Sequence, residues 1–162
     1  MLLYIVRHAW AKDQDSEQFP DDSLRPLTKE GRARFRRVVE KIARRGVAPE
    51  VIATSPHVRC RRTAEIFADG FSSQPPVVDL ESLGPGGSWS DLLDWTNRQE
   101  KERVAWVGHA PDVEQYIAQL IGCKATAVRM PKGSLAAIEF SGNIVMGQGV
   151  LRWLTTAKML GA

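Results

Sequence analysis

The sequence predicts an α/β three-layer sandwich: a mostly parallel sheet of about six strands with helices on both faces. Three observations lead there. Short apolar runs rich in β-formers recur along the chain: Leu2 to Val6, Glu50 to Thr54, Val77 to Leu80 and Arg103 to Val107. Segments of helical periodicity separate them, and such alternation is the signature of a parallel sheet covered on both sides. The tail then breaks the alternation with two strand-like runs in succession. At 162 residues, 43% apolar and 25% charged, the chain is expected to form one domain, 1–162, of ordinary globular composition.

The elements follow in order. Leu2 to Val6 is long enough for one buried strand and stops on Arg7-His8. Ala11 to Arg25 is polar and acidic and reads as a loop over the strand end, and a connection longer than about 12 residues is often functional or disordered. Thr28 is a fitting N-cap and Glu30 falls in the first turn, so a helix is expected to about Arg45, where Gly46 ends it. Glu50 to Thr54 is the second strand. Ser55-Pro56 turns it into a helix through Ala64, Ile66 and Phe67. Pro75 and Pro76 lead into Val77 to Leu80. Gly84 to Gly87 is a loop, and Ser88 or Ser90 caps a helix carrying Trp89, Leu92, Leu93 and Trp95. Arg103 to Val107 is the fourth strand and ends on Gly108-His109-Ala110-Pro111. Val113, Tyr116, Ile117, Leu120 and Ile121 make one stripe of a helix from Asp112 to Ile121. Ser134 to Phe140 and Gly149 to Leu154 read as two strands joined across Ser141-Gly-Asn143.

Charge and length exclude several classes of function. Arg7 and His8 arrive too early for a secretory signal, and no apolar run is long enough to span a bilayer. A cytoplasmic protein with no membrane contact is therefore expected, with Cys60 and Cys123 as free thiols. The net charge of +3 favours anions. The basic cluster Arg32, Arg34, Arg36, Arg37, Lys41, Arg44 and Arg45 lies largely opposite Phe35, Val38, Val39 and Ile42. That is a solvated helix face, and no nucleic-acid partner is expected.

The chemistry lies at strand ends. In an open α/β sheet ligands bind beyond the carboxyl ends of the strands. The first strand ends in Arg7-His8, the second in Ser55-Pro56-x-x-Arg59 at a strand-to-helix turn, and the fourth in Gly108-His109. If these strands are parallel, two arginines and two histidines converge on one pocket suited to an anion. Exposed tryptophans among Trp10, Trp89 and Trp95 would be candidates for contact with other chains.

These residues also carry a resemblance. Arg7-His8-Ala9, Ser55-Pro56-x-x-Arg59, Thr63-Ala64-Glu65 and Gly108-His109, in this order, resemble the signature of the histidine phosphatase (phosphoglycerate mutase-like) superfamily. Arg25-Pro26-Leu27-Thr28-x-x-Gly31, Leu83-x-Pro85 and Leu151-x-Trp153 further resemble the short phosphohistidine phosphatases of the SixA type. The resemblance implies a phosphoglycerate mutase-like fold and a metal-independent phosphatase without cofactor. It implies His8 as the nucleophile that becomes phosphohistidine, His109 as its catalytic partner, and Arg7 and Arg59 as the clamp on the phosphoryl oxygens. Phosphate or sulfate would fit the same site. The chain carries Ala9 where the family has Gly, and the small side chain is expected to leave the turn intact.

Larger family members supply a Glu after the third strand to protonate a leaving oxygen. Glu81 lies there, and a solvated loop carboxylate is the competing reading. The P–N bond of phosphohistidine demands less of an acid than an ester does, so the expected substrate is phosphohistidine on a phosphotransfer or phosphocarrier protein. A small-molecule phosphomonoesterase and a non-catalytic phosphate-binding module remain as alternatives. Arg25 either approaches the pocket from the long loop or stays on the surface, and His57 is expected to stand by. Cys123 to Arg129 has the cysteine-x5-arginine spacing of tyrosine phosphatases, but it follows a helix, lacks glycine and runs into Pro131. A metal-dependent hydrolase is disfavoured because no histidines pair at i, i+4 and the arginines repel a cation.

Overall fold

A computed structural model of the chain describes residues 1–15, 17–124 and 127–162. Six strands form one sheet: β1 (Leu2–Arg7), β2 (Val51–Thr54), β3 (Val77–Asp79), β4 (Arg103–Gly108), β5 (Leu135–Glu139) and β6 (Val150–Thr155), in the order β3-β2-β4-β1-β5-β6. β3, β2, β4 and β1 run parallel, β5 pairs antiparallel with β1, and β6 antiparallel with β5. The helices are α1 (Lys29–Ala43), α2 (Val58–Asp69), α3 (Trp89–Asn97) and α4 (Asp112–Leu120). This is the three-layer sandwich expected from the sequence.

Strand alternation sorts the core into two halves. Tyr4 and Val6 of β1, with Ile52, Ala105 and Val107, pack under Phe35, Val38 and Ile42 of α1 and Phe67 of α2. Leu3 and Ile5, with Ala53, Val104 and Trp106, pack under Leu92 of α3 and Val113 and Ile117 of α4. β1 and β4 are therefore apolar on both sides, which is why they read as continuous runs and not as alternating ones. The indole of Trp106, fully buried, donates to Thr96 Oγ1 at 2.9 Å, so its one polar atom is satisfied. The caps follow the sequence too: Thr28 accepts from Gly31 N at 2.8 Å and Ser88 from Asp91 N at 3.3 Å.

Two expectations need correction. β5 and β6 do pair, but through the connection 140–149 and not across a tight turn at 141–143. That segment folds back on α3 and α4: Ile144 and Asn97 exchange hydrogen bonds of 2.8 and 3.2 Å, and Gly147 N donates to Gln119 O. Trp10, Trp89 and Trp95 are all half-buried, so none is a free contact residue. Trp10 lies under the Arg34 guanidinium, 4.2 Å from its ring. The basic face of α1 is partly spent in the same way. Arg34 Nε reaches Ala162 O at 3.0 Å and Lys41 Nζ reaches Leu160 O at 2.7 Å, fastening the tail.

Gly133 ties this frame to the end of β1. Its N–H donates to the carbonyls of Arg7 and His8, at 3.3 and 3.1 Å. Its φ is +71°, and a Cβ there would meet the Trp10 ring at 2.8 Å. Both facts demand glycine. Gly133→Ala is expected to lower the urea-denaturation free energy by about 1–3 kcal/mol, whereas Gly142→Ala, with nothing within 4 Å of the added Cβ, should stay near wild type.

Candidate active site

Register places the site. Arg7 stands opposite Gly108 across the parallel β1–β4 ladder, and Thr54 opposite Val107 across β2–β4. His8 N donates to Gly108 O at 3.0 Å and Ser55 N to Val107 O at 3.0 Å, so the three chains leave the sheet side by side. α2 then begins at Val58, which puts Arg59 in its first turn. A cavity of 450 Å³ opens there, lined by Arg7, His8, Arg59 and His109 together with Arg25, Lys132 and Asp112.

His8 is only 6% exposed. Its Nδ1 lies 2.7 Å from the carbonyl oxygen of Ala9. A carbonyl can only accept, so the ring proton sits on Nδ1 and the lone pair on Nε2. Burial, reinforced by the charges of Arg59, Arg7 and Lys132, holds the imidazole down to about 3 although the Ala9 bond pulls the other way. The ring is thus neutral and oriented. Among the described residues only Gln74 and Glu100 combine a side chain with positive φ, so Ala9 sits in ordinary backbone and replaces glycine at no cost in strain. Ala9 N donates to Thr63 Oγ1 at 3.0 Å, and that hydroxyl donates to Arg59 O at 2.6 Å, linking the His8 turn to α2.

Both arginines are fastened from behind. Arg7 donates Nη1 to Met130 O at 2.7 Å, and buried Glu114 holds Met130 N at 2.9 Å. Arg59 donates Nη1 to Asp22 O at 2.7 Å and pairs Nη2 with the Asp22 carboxylate at 2.9 Å. Asp22 in turn binds Arg25 Nε at 2.8 Å. In each arginine the Nε is buried with no acceptor among the described residues. Two fixed, unanswered donors of positive charge beside a cavity suit an anion.

His109, 5% exposed, lies 5.5 Å from His8 between ring centroids, edge to face. Its Nε2 is 2.8 Å from Ser55 Oγ. The Cys60 sulfur lies 3.4 Å from the same Nε2 and 3.8 Å from Nδ1, so the ring is held against both side chains. Burial and then the Arg59 charge bring its imidazole down to about 3. The Cys60 thiol is pushed up to about 12 by burial and so is no nucleophile.

The other sequence candidates are distributed as follows. Arg25 lines the cavity. His57 packs edge-on to His109 at 4.8 Å but does not line the cavity. Glu81 is exposed on a 3-10 turn (Glu81–Leu83) outside it. Cys123 is an exposed thiol beyond α4, away from the cavity, and residues 125 and 126 of its run to Arg129 lie outside the described residues. Sequence reasoning missed Asp22, Lys132, Asp112 and Glu114. Of these only Asp22 carried a signal, as part of an acidic loop of suspicious length. Among the described residues no set of three His, Cys, Asp or Glu side chains is placed to hold a metal ion.

The chain is similar to known proteins along most of its length. The profile of the histidine phosphatase superfamily (branch 1) matches residues 3–116. An uncharacterized protein of Picosynechococcus sp. is 36% identical over 119 residues, 72% of this chain and 70% of its own. The protein histidine phosphatase SixA, in a complex with tungstate, superimposes with a TM-score of 0.84 at 23% identity over 99% of both chains. An alpha-ribazole phosphatase of Shigella flexneri gives 0.71 at 16% identity over 97% of both chains. A phosphoserine phosphatase of Entamoeba histolytica, in complex with 3-phosphoglyceric acid, gives 0.69 at 17% over 98% of both. These structures share the fold.

The depressed histidines make stability depend on pH. Between the ordinary histidine value near 6.5 and the folded value of about 3, the unfolded chain binds protons that folded His8 and His109 refuse. Stability contributed by the two neutral rings is complete above about pH 6.5 and is lost as pH falls, by up to about 1.4 kcal/mol per pH unit for each ring. Denaturation at pH 7 and pH 5 should show a smaller pH penalty in His8→Asn/His109→Asn than in wild type. Identical penalties would contradict the assignment.

Proposed function

The chain belongs to the histidine phosphatase superfamily, and on that footing we propose that it hydrolyses phosphohistidine carried on a protein, through a covalent intermediate on His8. One observation carries the reading. His8 offers an oriented, neutral Nε2, and beside it stand two arginines whose buried Nε atoms have no acceptor among the described residues.

The steps follow from those atoms. His8 Nε2 attacks phosphorus in line, a P–Nε2 bond forms, and the P–N bond to the substrate breaks with its electron pair going to the departing imidazole. The new positive charge on His8 is held through Nδ1–H to the Ala9 carbonyl. Arg7 and Arg59 donate to the equatorial oxygens, Lys132 adds charge, and His109 donates a ring N–H to the same oxygens from across the cavity. Water then attacks phosphorus, the electron pair returns to Nε2, and phosphate leaves. The cationic side chains supply the charge a divalent metal would otherwise bring, so metal independence belongs to the proposal.

Two facts favour a phosphohistidine protein over a small ester. Glu81, the candidate acid after the third strand, does not line the cavity, and an ester would need such an acid to protonate its leaving oxygen. The cavity is also framed by loop residues, Gln14, Pro85, Gly86 and Lys132, with no helix laid across it. The SixA match is called a protein histidine phosphatase, whereas the alpha-ribazole and phosphoserine phosphatases of the same fold are named for small substrates.

The test is a panel of phosphohistidine-bearing phosphotransfer and phosphocarrier proteins beside p-nitrophenyl phosphate and a sugar phosphate, with and without chelator. Wild type is expected to prefer the phosphohistidine proteins and to ignore chelator, and His8→Ala to lose at least about 1,000-fold. Better turnover of the sugar phosphate would make this a small-molecule phosphomonoesterase. Phosphate binding without turnover would make it a binding module.

A further inference from the structure

Beside the cavity around His8 lies another, of 250 Å³, and the two share Gly86 and Asp112. The stacked rings of Trp89 and Tyr116, 4.7 Å between centroids, line it together with the exposed amides of Gln115 and Gln119. Nothing in the phosphoryl-transfer steps uses this space. The two cavities meet at Gly86 and Asp112, so a ligand held at the phosphoryl site can reach into the second one past these residues.

Asp112 differs from the other carboxylates nearby. Asp22 is committed to Arg59 and Arg25, and Glu114 to the Met130 amide and Arg129. The half-buried Asp112 side chain has no hydrogen bond and no ion pair among the described residues. Burial raises its affinity for a proton, and its charge is felt by Tyr116, one turn along α4 on the same face. An uncommitted acceptor at the junction of two cavities is placed to meet a donor on the ligand.

Resting on the phosphohistidine reading above, we infer that Asp112 accepts a hydrogen bond from the distal ring N–H of the substrate's phosphorylated imidazole, and that the Trp89–Tyr116 cavity is the leaving-group subsite. A phosphorylated imidazole departs readily only when its other nitrogen carries a proton, because it then leaves as neutral imidazole and not as imidazolate. The carboxylate favours that protonated form by binding its N–H. As the His8 Nε2–P bond forms and the P–N bond breaks, the electron pair goes to the substrate nitrogen bonded to phosphorus, and the distal proton stays where it was. The aromatic pair offers a face for the departing ring. An ester oxygen has no such N–H and meets a carboxylate it must repel, so the same residue selects against phosphoesters.

The experiment compares Asp112→Asn and Asp112→Ala with wild type on a phosphohistidine-bearing phosphocarrier protein and on p-nitrophenyl phosphate, whose leaving group needs no proton. Both variants are expected to lose about 10- to 100-fold in kcat/KM on phosphohistidine. Their p-nitrophenyl phosphate rates should hold or rise, because the carboxylate that repels an ester oxygen is gone, which also shows that they fold. Equal losses on both substrates, or no loss on phosphohistidine, would overturn the role of Asp112 and leave the phosphohistidine reading standing. Wild type that cleaves p-nitrophenyl phosphate and leaves phosphohistidine untouched would overturn that reading, and the role of Asp112 with it.

Discussion

Arg7 stands opposite Gly108 across a parallel ladder, and the chemistry of the chain depends on that register. It delivers His8 and His109 from neighbouring strands to one edge, where β2 and α2 add Arg59. A slip of one residue would turn the end of β1 over, sending the core faces of Tyr4 and Val6 to the wrong layer together with His8. The register is therefore held by the same apolar packing that holds the protein together. Leu3 and Ile5 belong to one half of the core and Tyr4 and Val6 to the other, so neither face of β1 tolerates a shift.

What that edge carries is costly to fold. Two guanidinium groups and two imidazoles are withdrawn from water, and all four have their cationic forms disfavoured by burial. The imidazoles respond by staying neutral. The arginines stay charged and are anchored instead, Arg7 through Met130 and Glu114, Arg59 through Asp22. A positive site that is fixed before the anion arrives need not reorganise when charge spreads over the phosphoryl oxygens. That is the physical sense in which stability is given up for function here.

Much of this was legible in the sequence because it is local. Periodicity marked the six strands, α1 and α4 to within about two residues, Thr28 announced the start of α1, and strand ends marked Arg7-His8, Arg59 and Gly108-His109 as a possible set. What escaped reading depends on chain that is far away or on backbone atoms. The acceptors that orient His8 and Arg7 are carbonyls of Ala9 and Met130, which any residue type would provide. Glu114 and Asp112 look like ordinary helix carboxylates until the fold turns one toward Met130 and the other into the cavity. Glu81 stands at a plausible place in the sequence, and only the path of the chain after β3 leaves it off the cavity lining. The connection 140–149 hid because its contacts are with α3 and α4, remote in sequence.

The central claim is that a single nitrogen, Nε2 of His8, carries the phosphoryl group. Rapid quenching during turnover of a radiolabelled phosphohistidine protein, followed by peptide mapping and NMR of the labelled histidine, measures this directly. The account predicts one acid-labile, base-stable label, on His8, with phosphorus on Nε2 and Nδ1 still protonated. A label on His109 or on a cysteine, or turnover with no labelled residue at all, would contradict it.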